Sequence, residues 1–246
     1  MASHLDIDVT LCSDEDIPTC FQIISKSFAH NSPFVDISYP NHDTPSGQAK
    51  GSKRLLAWKK EEPTSYFLRA TTRAIDSNDE RIIGLAIWTY MKEPPPSDIA
   101  VLEDVEDVWP DENDREFMKR MWREFVVPRS QAVEQSGGKG VFGNLKLMIP
   151  TERSKTNEHL NLVLDILAVD PDYHRQGVGA ALVEWGTKAA DERGIEAVVE
   201  ATHVGRRLYE KNDFSTVIEE MVFDVGERFD DRRKPNIVFM KRSARS

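Results

Sequence analysis

The stretch from Leu160 to Phe214 sets the tightest limit on what this chain can become. Leu160 to Val169 is a strongly apolar run broken by one acid, Asp165, a pattern suited to a central strand. A loop from Asp170 to Gln176 follows, opened by Asp-Pro. Gly177-Val178-Gly179 then starts a helix whose apolar positions are Val178, Ala181, Leu182, Trp185 and Ala189. Those positions recur with the helical period, so one face is buried. Gly194, directly after Arg193, is placed to stop that helix.

A glycine-rich turn between a strand and a helix has the makings of an anion site. Its free N–H groups point outward, and the helix dipole favours negative charge there. Glycine also lets the backbone come close to a phosphate, and Arg175 stands beside the turn to pair with one. The plainer alternative is a turn that needs small residues for packing alone. Two familiar nucleotide motifs fit poorly. The turn lacks the Gly-Lys-Ser/Thr ending of an ATPase phosphate loop. The dinucleotide fingerprint needs three glycines in a tight turn and an acid after the next strand. Glu200 imitates that acid, but the glycines here follow a long loop.

Composition narrows the class. The chain has 246 residues, enough for a sizeable core, with 39% hydrophobic and 30% charged residues, the profile of a soluble globular protein. No apolar stretch approaches the roughly 18 residues of a membrane span. The first residues, MASHLDIDVT, lack the basic and apolar regions of a secretory signal. Cys12 and Cys20 supply neither a disulfide framework nor a metal set. A cytoplasmic location is therefore expected, with no membrane and no metal. The net charge of −10 repels nucleic acid and favours a cationic partner. An anionic ligand would need a local basic patch, for which Arg175, Arg206 and Arg207 are the candidates.

The rest of the chain reads as alternating strands and helices. Ile7 to Cys12 is an expected edge strand. A helix follows, capped by Ser13 or Asp16 and burying Ile17, Phe21, Ile24 and Phe28. Asn31 to Ser52 is rich in Pro, Asn, Asp, Ser and Gly and is expected to be a long loop, with a short helix around Leu55, Leu56 and Trp58. Ser65 to Thr72 and Arg81 to Met91 are expected antiparallel strands joined by a turn at Asp76 to Asp79. Residues 92–143 read as an insertion within a single domain spanning 1–246. It opens with Pro94-Pro95-Pro96, carries acids from Glu103 to Asp114, and holds an amphipathic helix marked by Phe117, Met121, Trp122 and Phe125. The acids are either a solvated face or a gate for a protonated amine, with Glu103 the foremost candidate. Gln131 to Gly143 is expected to be a flexible crossing. After the central stretch come a strand at Ala197 to Ala201 and a helix at Gly205 to Lys211 capped by Thr202. Closing strands are expected at Ile218 to Val225 and Asn236 to Met240, with a charged connection at Glu227 to Lys234.

The window His174-Arg175-Gln176-Gly177-Val178-Gly179 resembles the Gln/Arg-x-x-Gly-x-Gly/Ala signature of the GNAT superfamily of N-acetyltransferases. The first position departs, with His174 in place of Gln or Arg. Gly205 to Phe214 resembles the family's Leu-Tyr-Glu-Lys-x-Gly-Phe ending, with Asp213 in place of Gly, and Ile82 to Trp88 resembles its Ile-x-Gly-x-Ala strand. The likeness is close from His159 to Val217 and weak between Lys92 and Glu158. Within the superfamily it looks most like small-molecule acetyltransferases of the fungal type.

The resemblance implies an α+β fold in three α/β/α layers: a mixed, mostly antiparallel sheet splayed at its central strands and flanked by helices. It implies acetyl-CoA as co-substrate. Strand backbone at Leu167 and Val169 would hold the thioester arm, and His174, Arg175, Gln176, Gly177, Val178, Gly179 and Ala180 would surround the pyrophosphate. Tyr209 falls where many members place the acid that protonates the departing thiolate. Some relatives carry a glutamate base on the central strand, where this chain has Val163. Asp165 lies two residues on and shares its face, and is either a base acting through water or a hydrogen-bonding strand acid. The first helix and its following loop often wall the acceptor site, which brings in Phe28. Trp88 faces either the acceptor or the core. The expected reaction is acetyl transfer to the amine of a small molecule by direct attack in a ternary complex. A protein or peptide N-acetyltransferase and a non-enzymatic acyl-CoA-binding module are the alternatives. Monomer and homodimer both remain open.

Overall fold

The computed structural model describes residues 5–73, 79–136 and 160–245. The apolar run forms β4 (Asn161–Val169) at the middle of a seven-stranded sheet. On one side β4 is antiparallel to β3 (Glu80–Met91), followed by β2 (Ser65–Arg73) and the edge strand β1 (Asp8–Leu11). On the other side it is parallel to β5 (Glu196–Thr202), which pairs in turn with β7 (Ile237–Arg242) and, outermost, β6 (Ser215–Ile218). The β4–β5 pair is the parallel one, as expected where a helix crosses over between two strands. That helix is α6 (Val178–Arg193), which begins at Gly177 and ends at Gly194, both in left-handed conformation.

Helices cover both faces. Beneath α6, with α7 (His203–Glu210) beside it, lie Ala86, Trp88, Leu162, Leu164, Ala197 and Val199. The opposite face is shared. α1 (Ile17–Phe28) and α3 (Pro45–Glu61) pack over Phe67, Leu85, Ile87 and Ala168. After the short α4 (Val105–Val108), α5 (Glu112–Gln135) lays Phe117, Met121 and Phe125 against Val163, Val198 and Phe239. The fold is the three-layer α+β arrangement expected. Among the described residues no helix is long and apolar enough to cross a membrane.

Two details of β4 position the site. First, its register against β5 runs only over Asn161 to Leu164; beyond that β4 stays with β3, β5 stays with β7, and the two part. Second, its register against β3 jumps from Leu164 opposite Trp88 to Ile166 opposite Ile87, leaving Asp165 as the extra residue of a bulge. The bulge resets the alternation of faces. Val163 and Asp165 point toward α5, yet Ile166 and Ala168 then pack on the α1 and α3 side as well.

Some segments differ from expectation. Asn31 to Ser52 is not a long loop: it holds α2 (Pro33–Ser38) and the first half of α3. The residues read as loop formers are helix starters. Pro33 and Pro45 occupy the first helical positions, where a missing N–H costs nothing, and Ser32 and Thr44 cap them by accepting from Val35 and Gly47. Gly47 and Gly51 are glycine because α3 runs close against Asn41 and the Phe21 ring. The strand expected at Ile218 to Val225 ends at Ile218. Met221, Phe223 and Val225 still alternate into the core, but only the Met221 N–H reaches a neighbouring strand, at Ile237 O. Gln131 to Gln135 continues α5 rather than forming a crossing. Glu227 to Lys234 opens with a 3₁₀ turn at Glu227–Phe229. Residues 137–143 of the crossing expected at Gln131 to Gly143 lie outside the described residues, as does the turn at Asp76 to Asp79 apart from Asp79.

Candidate active site

The parting of β4 and β5 leaves backbone without ladder partners. Asp170 N–H donates to Ile83 O at 2.9 Å. In an antiparallel pair bonded residues alternate, so Ala168 and Ile166 turn their groups to β3, while Leu167 and Val169 turn theirs into the gap. These are the two residues expected to meet the thioester arm. The Val169 carbonyl is engaged by His174 Nε2 at 2.9 Å, so His174 braces the loop from within.

The loop continues into an anion cradle. A 3₁₀ turn at Pro171–Tyr173 is pinned to α1 by Lys26, which contacts Asp170 at 2.7 Å and Asp172 at 3.0 Å. Those carboxylates raise the Lys26 pKa, and the ammonium and neighbouring backbone N–H hold the Asp170 carboxyl below its ordinary range although burial opposes this. Gln176 is tied down by its side chain on Asp172 O. Arg175 and Gly177 both have positive φ, 63° and 93°, which aims successive N–H groups to one side. The first intrahelical bond of α6 is Ala181 N–H to Gly177 O. The N–H groups of Val178, Gly179 and Ala180 therefore lack intrahelical acceptors. A Cβ on Gly179 would come within 3.2 Å of Leu208, so this glycine also lets α7 approach. The free N–H groups suit an anion, but the basic patch is smaller than expected: Arg206 is occupied by Glu219 at 2.6 Å and Glu210 at 2.9 Å.

Leu208 and Tyr209 of α7 border a cavity of ≈ 1070 Å³ that passes through the β4–β5 gap. The Tyr209 ring is buried edge-on against Phe214. Burial pushes its phenol pKa upward, so the hydroxyl holds its proton. Gly205 leaves room for the ring, whose Cε2 would lie 3.2 Å from an added Cβ.

Across the gap lies a charged cluster. Arg129 of α5 reaches Asp165 at 2.6 Å and takes Glu200 of β5 two-pronged, at 2.5 and 3.1 Å. Thr89 donates to the other Asp165 oxygen at 2.6 Å. Burial works against the Arg129 charge, but Glu200 and Asp165 outweigh it and push its pKa up. Two carboxylates around one guanidinium leave one negative charge facing the cavity. Arg129 and Glu200 do not stand out as a pair in the sequence, 71 positions apart. The signal was present: Arg129 continues the buried stripe Phe117, Met121, Phe125, and Glu200 sits between buried Val199 and Ala201.

The cavity wall beyond this cluster is mostly apolar, with Phe28, Phe34, Tyr39, Trp122 and Phe125 among its members. Phe28 thus sits where the acceptor side was expected. Trp88 does not: its indole is fully buried beneath α6, donating to Leu182 O at 3.3 Å. Strand alternation gives the cavity face to Thr89 instead. Glu103 borders the cavity but is clasped by Arg54 at 2.7 and 3.1 Å. Its acidic neighbours are largely spoken for. Asp98, Asp104 and Asp111 cap helical turns, and Asp107 lies 3.6 Å from Lys50.

Compared with known proteins, residues 133–216 match the family described as the acetyltransferase (GNAT) domain. Among solved structures, the mosquito arylalkylamine N-acetyltransferase like 5b is 14% identical, with a TM-score of 0.58 over 97% of this chain and 100% of that one. The fold is the GNAT acetyltransferase fold. Arylalkylamine N-acetyltransferase 2 from Aedes aegypti is 14% identical, with a TM-score of 0.56 over 98% and 100% of the chains. A histone acetyltransferase and related acetyltransferase structure from Corynebacterium glutamicum is 17% identical, with a TM-score of 0.54 over 98% and 99%. A search of curated protein sequences finds no match. Nothing in these comparisons narrows the GNAT fold to a fungal-type family.

Proposed function

We propose that the protein transfers the acetyl group of acetyl-CoA to the amine of a small molecule with an apolar body, by direct attack with both substrates bound. The observation that carries this reading is the cavity at the β4–β5 gap, which brings Tyr209, the free strand edge and the Arg129 cluster to one place. Leu167, Val169 and the α6 N-terminus would hold the thioester arm and the pyrophosphate. The unbalanced negative charge of Asp165 and Glu200 favours an entering ammonium. Arg129 takes both Glu200 oxygens but only one of Asp165, whose other oxygen accepts from the uncharged Thr89 hydroxyl, so Asp165 is the better acceptor for the ammonium proton, directly or through water. The neutral nitrogen then bonds to the acetyl carbon as the carbon–sulfur bond breaks. The Tyr209 hydroxyl supplies the proton to sulfur, and the second proton, shed by the nitrogen as it becomes an amide, restores that hydroxyl. Walls from α2, α3 and the Pro94–Glu103 segment support a small acceptor over a peptide, which needs a groove open at both ends.

The test is a panel of amines with acetyl-CoA, read as release of free thiol. Amines with aromatic or aliphatic bodies should react faster than polyamines. If acetyl-CoA binds but no amine raises thiol release above hydrolysis, the enzyme reading falls and a binding module remains.

A further inference from the structure

Away from the cavity's interior, the turns joining α1, α2 and α3 bring two imidazoles onto one carboxylate oxygen. His30 Nδ1 lies 2.9 Å from Asp36 Oδ1, and His42 Nε2 lies 3.1 Å from the same oxygen. These ligand-type atoms all fall within 4.8 Å of one another. We infer that His30, Asp36 and His42 form a binding site for one divalent transition ion of the zinc class.

The nitrogens facing outward support this. His42 is 1% exposed, and its Nδ1 lies 2.8 Å from Ser25 Oγ. The Ser25 hydroxyl donates to the His42 carbonyl at 3.0 Å, so its oxygen is left to accept the Nδ1 proton. That tautomer turns a lone pair of Nε2 toward Asp36 Oδ1, two acceptors face to face. A proton or a metal ion between them relieves that apposition, and the titration below tells the two apart. His30 repeats the arrangement: its Nε2 lies 3.4 Å from Asp43 Oδ2, leaving Nδ1 to face Asp36. Each of the two candidate histidines thus has its second nitrogen held by an oxygen, the outer contact that orients metal-binding histidines. Tetrahedral zinc with bonds near 2.1 Å places its ligands roughly 3.4 Å apart, so small shifts admit the ion. Three protein ligands leave a fourth position for water. Arg233 lies 3.9 Å from the other oxygen, Asp36 Oδ2, and donates to His30 O at 3.1 Å, so it does not occupy the shared corner. A bound ion would fasten together the segment whose Phe34, Val35, Ser38 and Tyr39 wall the cavity.

The experiment titrates Co²⁺ into chelator-treated protein and follows its visible absorption, with Zn²⁺ as competitor and Mg²⁺ as control. Saturation at one ion per chain, displaced by Zn²⁺ and ignored by Mg²⁺, is expected. His30→Gln and Asp36→Asn should each abolish the signal, and Asp43→Asn should weaken it by roughly tenfold or more. His203→Gln, a surface histidine elsewhere, should leave it unchanged. His30 is an exposed residue, so its variant remains folded, checked by circular dichroism. Absence of saturable binding, or binding that survives His30→Gln and Asp36→Asn, overturns the site.

Discussion

Removing the Tyr209 hydroxyl while keeping its ring separates chemistry from packing. The ring packs against Phe214 and borders the cavity, so Tyr209→Phe should fold and bind acetyl-CoA as before. Loss of a proton donor costs roughly 10²- to 10⁴-fold in the chemical step. Single-turnover thiol release with a reactive amine should show that fall; an undiminished rate would return Tyr209 to a packing role. Burial raises the phenol pKa, and the ordinary value is already near 10. The donor is therefore intact throughout the neutral range, and ionisation of Tyr209 should not limit the rate below about pH 10. At this scale the sequence was uneven. Tyr209 and Asp165 were singled out from motif and pattern, and both line the cavity. Glu103 was legible as an acid but not as one clasped by Arg54, because a partner 49 positions away leaves no local trace. Trp88 was open in the sequence because either face of a buried strand is apolar.

Between elements, the clearest single tie is that of Arg242 in β7 to Asp191 in α6. Both carboxylate oxygens accept from the guanidinium at 2.7 Å, and Arg242 also donates to Asn212 O at 3.1 Å. Arg242 is buried, so removing its partner strands a charge. Asp191→Asn should lower stability by about 1–3 kcal/mol, the upper part of that range softened by the partial exposure of Asp191. The Arg242 hydrogen bond, against some burial, holds the Asp191 carboxyl below its ordinary range. A depressed pKa contributes stability that is present above the unfolded value, near 4, and lost as pH falls through the folded one. Denaturant melts at pH 7 and pH 3 should therefore show a larger wild-type advantage over Asp191→Asn at pH 7 than at pH 3; an equal gap at both would contradict it. Elements were mostly legible where apolar period and caps agreed, as in β4, α5 and α6. They were misread where a serine or threonine followed by proline serves as a helix start, as at Ser32-Pro33 and Thr44-Pro45.

At the scale of the molecule, the sheet order follows from the chain. Hairpin-like neighbours pair antiparallel, and α6 carries the chain across to a parallel β5. The splay that makes the site could not be seen in composition or period. It needs the register of β4 against two neighbours at once, and the bulge at Asp165 leaves the apolar pattern almost intact. The Arg129 cluster was hidden for a like reason: α5, β4 and β5 meet only in the folded chain. The central claim is that this splay and the α6 N-terminus together form an acetyl-CoA site. Ala180 is exposed in the first turn of α6, where a carboxylate favours the helix but opposes a bound diphosphate. Titration calorimetry of acetyl-CoA into wild-type protein and Ala180→Glu is the direct measurement. One site per chain in the wild type, weakened at least about tenfold in Ala180→Glu with melting temperature kept or raised, is the predicted result. No binding to the wild type, or equal affinity in both proteins, would contradict the account.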